Sequence, residues 1–402
     1  MGLLKYLVIA TIFSYPLGQL TRVVVKSDVA VTLTDVLVAV TCISWATLFF
    51  FRKVRWLRPR VQQYIFVFTV IVLVSLVLNA WRYQLSEVLA GSLYLVRWLF
   101  YSSLYFIVQG FDGPFKKRVA YLMLSVGSLF IGFGYVQYIF YPDLRNLIYL
   151  GWDDHLFRLF STVFDPNFAA VLINLYLFLI GGMILNKINN KTNMLVFIAL
   201  FLFGFLAMLL TYSRSGYLMF TVGALTMLFL ASKKKLMILF SIVLLAGLLF
   251  IPKNLPSEGV NLLRTASIES RFESIQHAPV IIKDNPIFGV GFNMYRYAQE
   301  PRQTRLGRYP QHSASSTDNS FLFVFATTGV IGFFAYLLLW RRIVTVALHD
   351  YHMDRKQDVV CIPMVIIGSS FGLFVNAMFL NSLFYPSVML WMWVLIGLIE
   401  RK

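Results

Sequence analysis

The sequence predicts an all-α polytopic membrane protein with about 12 transmembrane helices and one large outer loop. Of its 402 residues, 59% are hydrophobic and only 13% are charged, about half the charged share of an ordinary soluble domain. Apolar runs of about 20 residues recur along the whole chain, and each is long enough to cross ~30 Å of hydrocarbon as a helix. We therefore expect residues 1–402 to form a single integral membrane domain.

Lysine and arginine predict the orientation of these spans. With the N-terminus inside, the inner segments together with Lys5 at the inner end of the first span hold 20 of the 35 Lys and Arg residues, against six in the short outer loops. This positive-inside bias predicts that both termini are cytoplasmic, and it explains the net charge of +17 without a nucleic-acid partner. The first run lacks a small-residue cleavage site, so we expect a retained span and no cleaved signal peptide. The predicted spans are 3–20, 34–51, 61–80, 87–110, 119–142, 166–186, 193–210, 216–232, 236–251, 319–340, 359–380 and 385–399.

The outer face carries two longer segments, 143–165 and 252–318. Within the second, "ASIESRFESIQHAPVII" places apolar residues at helical spacing with charged residues among them, which predicts an amphipathic helix on the outer membrane surface. "DNPIFGVGFNMY" then predicts a tight turn, because a proline precedes Gly289 and Gly291. This glycine pair lacks the third glycine and the βαβ context of a nucleotide-binding loop.

Nothing in the sequence indicates a metal site or another cofactor. Cys42 and Cys361 both fall inside predicted spans, where a small packing role is favoured. Mg²⁺ or Ca²⁺ would need several carboxylates close together. The single adjacent acidic pair, Asp153 and Asp154, is expected to be a solvated loop.

Ionisable residues within the spans are rare. Arg97 is the clear case, and Asp35 lies at the outer mouth of the second span. Ion-coupled transporters usually keep carboxylates or histidines along a pathway through the membrane, so this scarcity argues against transport. We expect Arg97 either to snorkel or to pair with a neighbouring helix.

Arginines collect on the predicted outer face instead. Guanidinium groups stay charged and bind phosphate through two parallel hydrogen bonds, so this pattern favours an anionic substrate. In "TYSRSGYLMF", the tip of an outer hairpin places Arg214 at the membrane interface, where anchoring in lipid headgroups is its alternative role. The outer arginines are Arg158, Arg214, Arg264, Arg271, Arg296, Arg302, Arg305 and Arg308.

Several stretches together resemble a known family. They are "VTLTDVLV" at the second span, "RLFSTVFDPNFAA" before the sixth, "TYSRSG", "SRFESIQHAPVIIKDNPIFGVGFNMY" and "TDNSFLFVFATTGVIG". In their order and predicted positions, these motifs resemble the O-antigen ligase and polymerase superfamily of bacterial envelope assembly.

The resemblance implies a GT-C-like glycosyltransferase architecture. Members of this superfamily transfer a glycan from undecaprenyl pyrophosphate to an acceptor hydroxyl outside the plasma membrane, with inversion and without a metal or other cofactor. The family's two pyrophosphate-binding arginines match Arg214 and Arg271. The ligases have a His-Asn pair, nine residues and then Gly-x-x-Gly. Here Asn319, Gly329 and Gly332 fit that spacing, but the histidine position holds Asp318.

Asp318 is therefore the first candidate for the catalytic base, since a carboxylate can take the proton of a sugar hydroxyl. His312 is the alternative base, and Asp318 itself could instead cap the helix that follows. Asn319 fits equally a helix cap or a sugar-binding residue. "DPN" at 165–167 favours the start of the sixth helix. The other candidate substrate-binding residues are Arg158, Asn167, Tyr212, Ser213 and Arg264.

Three functions stay open from the sequence. The first is a polymerase of undecaprenyl-pyrophosphate-linked repeat units for O-antigen, capsule or exopolysaccharide, and the second is a ligase that transfers glycan to lipid A core or another acceptor. The third is a flippase for lipid-linked sugar, which would favour more positive residues deep in the spans than Arg97 alone. The predicted partners are the lipid-linked donor, the glycan acceptor and the bilayer, with a flippase and a chain-length regulator as further candidates. The predicted location is the bacterial plasma membrane, with the site on its outer face.

Overall fold

The computed structural model describes residues 2–26, 29–51, 59–150, 152, 155–186, 191–249, 260–262, 275, 278–299, 317–353 and 360–399. Within these ranges, helices of 12 to 34 residues dominate the chain. In chain order they are α1 Gly2–Phe13, α2 Leu33–Phe50, α3 Gln62–Asn79, α4 Leu85–Gln109, α5 Gly113–Phe140, α6 Pro166–Leu185, α7 Lys191–Leu210, α8 Arg214–Leu230, α9 Lys234–Leu249, α10 Ser320–Met353, α11 Ile362–Ala377 and α12 Pro386–Gly397.

Each of the twelve predicted spans falls on one of these helices, and the chain is a helical, multi-pass membrane protein. Among the described residues, seven helices are long and apolar enough to cross a membrane. An eighth span arises if α1 and the bent 3₁₀ segment Tyr15–Thr21 count together. The apolar helices α8, α11 and α12 are shorter, so the number of spans and their topology stay a prediction.

A short β-hairpin departs from the all-helical prediction. Strands β1, Val23–Lys26, and β2, Val29–Val31, pair antiparallel, with Val23 opposite Val31. The reason is local, because a run of β-branched valines between α1 and α2 favours extended backbone over helix. The hairpin connects the two helices at the end that is predicted to lie outside.

The core is built around α6, which is buried along almost its whole length. Helix α8 packs closely against α6, and α11 packs closely against α8, because a glycine lies at each of these two contacts. A Cβ at Gly223 of α8 would overlap the Phe178 ring of α6, and one at Gly368 of α11 would overlap Met227 of α8. Small residues at such crossings let apolar helices pack at van der Waals contact, which is the main source of association inside a bilayer.

A loop from the large outer segment is locked into a break in α10. The helix is interrupted at Gly329, where φ is +67°, and residues 286–291 fit into the gap. The Val290 N–H donates to the Ala326 carbonyl at 2.9 Å, and the Val330 N–H donates to the Pro286 carbonyl at 2.8 Å. The predicted turn is present, with left-handed backbone at Gly289. The predicted amphipathic helix falls largely outside the described residues, although residues 278–284 are helical.

The fit at this break predicts that Gly329→Ala destabilises the protein. A Cβ at Gly329 would overlap the backbone of Ile287, and the left-handed φ adds about 1–3 kcal/mol of strain for a residue with a side chain. We expect a lower thermal unfolding midpoint in detergent. Gly132→Ala is the control, since a Cβ there meets no atom within 4 Å and alanine favours a helix. Equal midpoints for the two variants would contradict the interlock.

Candidate active site

Arg214 is the first residue of α8 and is presented by a tight turn. Ser213 is the N-cap, and its Oγ accepts a hydrogen bond from the Gly216 N–H at 3.3 Å. Tyr212 supplies the left-handed backbone of the turn, with φ of +49°. Ser213 is buried, whereas the Arg214 side chain is partly exposed and its Nη1 donates to the Leu262 carbonyl at 3.4 Å. A guanidinium at the positive end of a helix dipole makes this an electropositive point that favours an anion.

Arg158 supports this turn from inside the protein. Its side chain is only 3% exposed. Nε donates to the Thr211 carbonyl at 2.9 Å, and Nη2 donates to the Tyr212 carbonyl at 3.3 Å. Through these contacts Arg158 positions the turn between α7 and α8. Its substrate-binding role stays a prediction from the sequence.

The start of α6 completes the cluster. Asp165 is the N-cap and accepts from the Asn167 N–H at 2.6 Å, so the predicted helix start at 165–167 is confirmed. The Asn167 side-chain oxygen accepts from Ser213 Oγ at 2.9 Å. Asn174, about two turns further along the same face of α6, donates to the Gly216 carbonyl at 2.8 Å. The structure thus brings Arg158, Asn167, Tyr212, Ser213 and Arg214 together.

Asp318 and Asn319 lie at the start of α10. The Asn319 side-chain oxygen accepts from the Phe321 and Leu322 N–H groups at 2.9 and 3.0 Å, and its Nδ2 donates to the Met378 carbonyl at 3.1 Å. Asn319 is therefore the N-cap, and the helix begins at Ser320. The alternative that Asp318 caps a helix beginning at Asn319 is wrong, because the capping bonds come from the asparagine.

Three predicted site residues, Arg264, Arg271 and His312, lie outside the described residues. Whether Arg271 meets Arg214 at one pyrophosphate therefore stays a prediction. Among the described residues, no group of three or more His, Cys, Asp or Glu side chains is placed to hold a metal ion.

A cavity of about 360 Å³ with both polar and aromatic lining residues opens at the predicted outer ends of the helices. Its lining combines arginines, amides and aromatic rings from segments that are far apart in the sequence. Sequence reasoning selected none of these residues as site residues, although Arg22 and Arg296 carry the outer-face charge that could have pointed to them. The main polar lining residues are Gln19, Arg22, Asp35, Arg97, Asn293, Arg296, Asn381 and Tyr385.

Arg97 and Asp35 form an ion pair in the wall of this cavity. Arg97 Nε lies 3.0 Å from one oxygen of Asp35, and Nη2 lies 3.1 Å from the other. Asp35 also accepts from the Tyr101 hydroxyl at 3.0 Å and from the Thr32 N–H at 2.9 Å. Of the two roles expected for Arg97, pairing with a neighbouring helix is confirmed. Its partner carboxylate is fully engaged, so Asp35 is poorly placed to act as a base.

The cavity borders the Arg214 cluster. Tyr385 stacks on Phe168 of α6, with ring centroids 4.1 Å apart, and Phe168 follows Asn167 in the chain. The Tyr385 hydroxyl accepts from Gln19 Nε2 at 3.1 Å. Phe323 of α10 also lines the cavity, and it lies five residues along the chain from Asp318.

Comparison with known proteins shows that part of the chain is similar to a protein family. Residues 199–337 match the family model Wzy_C, described as O-Antigen ligase. The matched range holds the Arg214 turn, the large outer segment and the break in α10. No curated protein matches the chain. Over residues 199–337 the chain is similar to the O-antigen ligase family, and the resemblance seen in its motifs is confirmed for this part of the sequence.

Proposed function

We propose that this protein is a polysaccharide polymerase that joins undecaprenyl-pyrophosphate-linked repeat units. The family match supports glycosyl transfer in polysaccharide assembly. The observation that carries the proposal is the Arg214 turn, where a buried hydrogen-bond network fixes the backbone that presents Arg214 at a helix N-terminus. Asp318, at the position of the ligases' histidine, favours a polymerase over a ligase.

The reaction needs a base and a stabilised leaving group. The acceptor hydroxyl oxygen attacks the anomeric carbon from the face opposite the pyrophosphate, and the new C–O bond forms as the bond to the pyrophosphate breaks. The hydroxyl proton passes to Asp318, and the electron pair leaves with the pyrophosphate oxygen. Arg214 and Arg271 stabilise the charge that develops there, which is the part of such reactions where preorganised donors contribute most.

We place the site on the outer face of the plasma membrane, because Lys and Arg accumulate in the opposite loops. Side-chain contacts support the alternation of the helices. Lys5 pairs with Asp112 and Arg60 pairs with Asp350, and all four lie at helix ends that the topology assigns to the inner side. An impermeant maleimide that labels a cysteine at position 257 only after the membrane is opened would reverse this orientation.

The decisive experiment supplies purified protein with lipid-linked repeat units and separates the products by size. A ladder of products that differ by one repeat unit is expected from a polymerase. A single transfer step, seen only when lipid A core or another acceptor is added, would contradict the proposal and identify a ligase. Loss of the lipid-linked donor from one leaflet of proteoliposomes with no new glycosidic bond would instead identify a flippase.

Ligase activity is the second candidate. The matched family model is described by that activity, and Asn319, Gly329 and Gly332 retain the ligase spacing. In the structure, two of these positions are accounted for by folding: Asn319 caps α10, and Gly329 forms the break. The spacing therefore supports the shared architecture of the superfamily more than it supports one choice of acceptor.

A further inference from the structure

The described lining of the cavity beside the Arg214 cluster contains more arginine side chains than carboxylates. It contains three guanidinium groups, Arg22, Arg97 and Arg296, and one carboxylate, Asp35. Arg97 and Asp35 hold each other in a two-contact ion pair. Outside this pair, Arg22 and Arg296 place two further guanidinium groups in a partly enclosed space, where charges are less screened than on a surface.

The Arg22 guanidinium is the positive group in the cavity that is best placed to bind a ligand. Its guanidinium carbon lies 5.2 Å from the ring centroid of Trp152. Its Nε is buried and has no hydrogen-bond partner among the described residues. A buried donor left unpaired costs free energy, so an acceptor oxygen supplied by a ligand would be favoured. The residue is held in place by the chain itself, since it lies between the 3₁₀ segment Tyr15–Thr21 and strand β1.

The rest of the lining suits a sugar ring. Eight aromatic side chains line the cavity, Trp98, Trp152 and Tyr297 among them. Aromatic faces cover the C–H faces of sugars, while amides such as Asn293 and Asn381 can bond hydroxyl groups. The Asn381 side-chain oxygen is buried without a partner among the described residues. Flat apolar walls with a few directed polar groups are the usual composition of small-molecule sites.

We propose that this cavity binds an acidic sugar residue of the transferred glycan, one that bears a carboxylate or a phosphate group. The inference rests on the proposed function, since it assigns a substrate class to the same site. Arg22 contacts the anionic group, Arg296 adds to its attraction, and the aromatic walls hold the ring. The volume of about 360 Å³ lies near the lower end of the range of roughly 300–1,000 Å³ for ligand pockets, so the cavity takes only a part of a glycan.

The test compares binding of two ligands to the purified full chain in nanodiscs, without turnover. The ligands are a glucuronate-containing disaccharide and its carboxyl-reduced, neutral counterpart, measured by microscale thermophoresis. We expect the acidic ligand to bind about 10- to 100-fold more tightly, the usual effect of a hydrogen bond to a charged group. Arg22→Gln should bring the ratio close to one, and Arg22→Lys should keep part of it. Arg145→Gln is the matched control, because it removes an exposed outer-segment arginine paired with Asp143.

Equal affinities in the wild type, or a preference that survives Arg22→Gln, would overturn the proposal. Inorganic pyrophosphate is the third ligand. If Arg22→Gln weakens its binding about 10-fold or more and leaves the acid-to-neutral ratio unchanged, the cavity serves the lipid carrier and the sugar assignment is wrong. An intact acidic preference in a protein that forms no polymer would overturn the proposed function alone.

Discussion

Replacing Asp318 with asparagine is expected to lower glycosyl transfer by about 10²- to 10⁴-fold, because an amide cannot take the proton of the acceptor hydroxyl. The side chain keeps its shape, and Asn319 supplies the cap of α10. Loss of activity therefore cannot be attributed to a lost helix cap. The measurement is the initial rate of polymer formation by purified protein at saturating lipid-linked repeat unit.

Asp143→Asn is the matched control for this variant. It removes a carboxylate from the other long outer segment, where hydrogen bonds from Arg145 lower the pKa of Asp143 to about 2 and suit it poorly as a base. We expect near-normal rates for Asp143→Asn and retained activity for Asp318→His, since the family's ligases carry histidine there. A near-normal rate for Asp318→Asn would instead move the base to His312 or to no side chain.

Arg214→Ala is expected to lower turnover by about 10²-fold or more, which is the usual cost of removing one preorganised donor to developing negative charge. Arg214→Lys should rescue only part of the rate, because an ammonium group cannot reproduce the paired hydrogen bonds of a guanidinium. Arg271→Ala should behave like Arg214→Ala if both side chains hold the same pyrophosphate. Turnover is measured in the polymer assay, with binding of the lipid-linked donor followed separately.

The control for the arginine series is Arg145→Ala, which removes an exposed outer-segment arginine and leaves the Arg214 turn intact. Expression and thermal unfolding midpoint should match the wild type in all variants, since Arg214 is partly exposed and the buried bonds of the turn belong to Ser213 and Arg158. Normal polymerisation by both Arg214→Ala and Arg271→Ala would show that the pyrophosphate is bound elsewhere.

Hydropathy alone located the helices, because each must offer a long apolar surface and satisfy its own backbone hydrogen bonds. The caps at Asp165 and Ser213 could also be predicted, since their bonds reach only two or three residues along the chain. The β-hairpin formed by Val23–Lys26 and Val29–Val31 was not predicted, because pairing between two short strands leaves no signal in hydropathy and its residues lie between the predicted spans 3–20 and 34–51.

The cavity could not be predicted for a different reason. Gln19 and Tyr385 are hydrogen-bonded across 366 positions of sequence, and no periodicity or motif connects residues so far apart. Asn167 was selected from a local motif, but its bond to Ser213 spans 46 positions and depends on how α6 and α8 pack. Local signals therefore selected neither residue of the first contact and both residues of the second, while helix packing determined which residues meet.

The ion pair between Arg97 and Asp35 also bears on how the protein enters the membrane. An arginine near the middle of a helix opposes insertion of that helix by about 2.5–3.5 kcal/mol. Its counter-ion lies on α2, which is synthesised before α4 and would already be in place when α4 leaves the ribosome. We expect α2 to act as an intramolecular insertion partner for α4, so that the order of the helices along the chain is itself part of the assembly pathway.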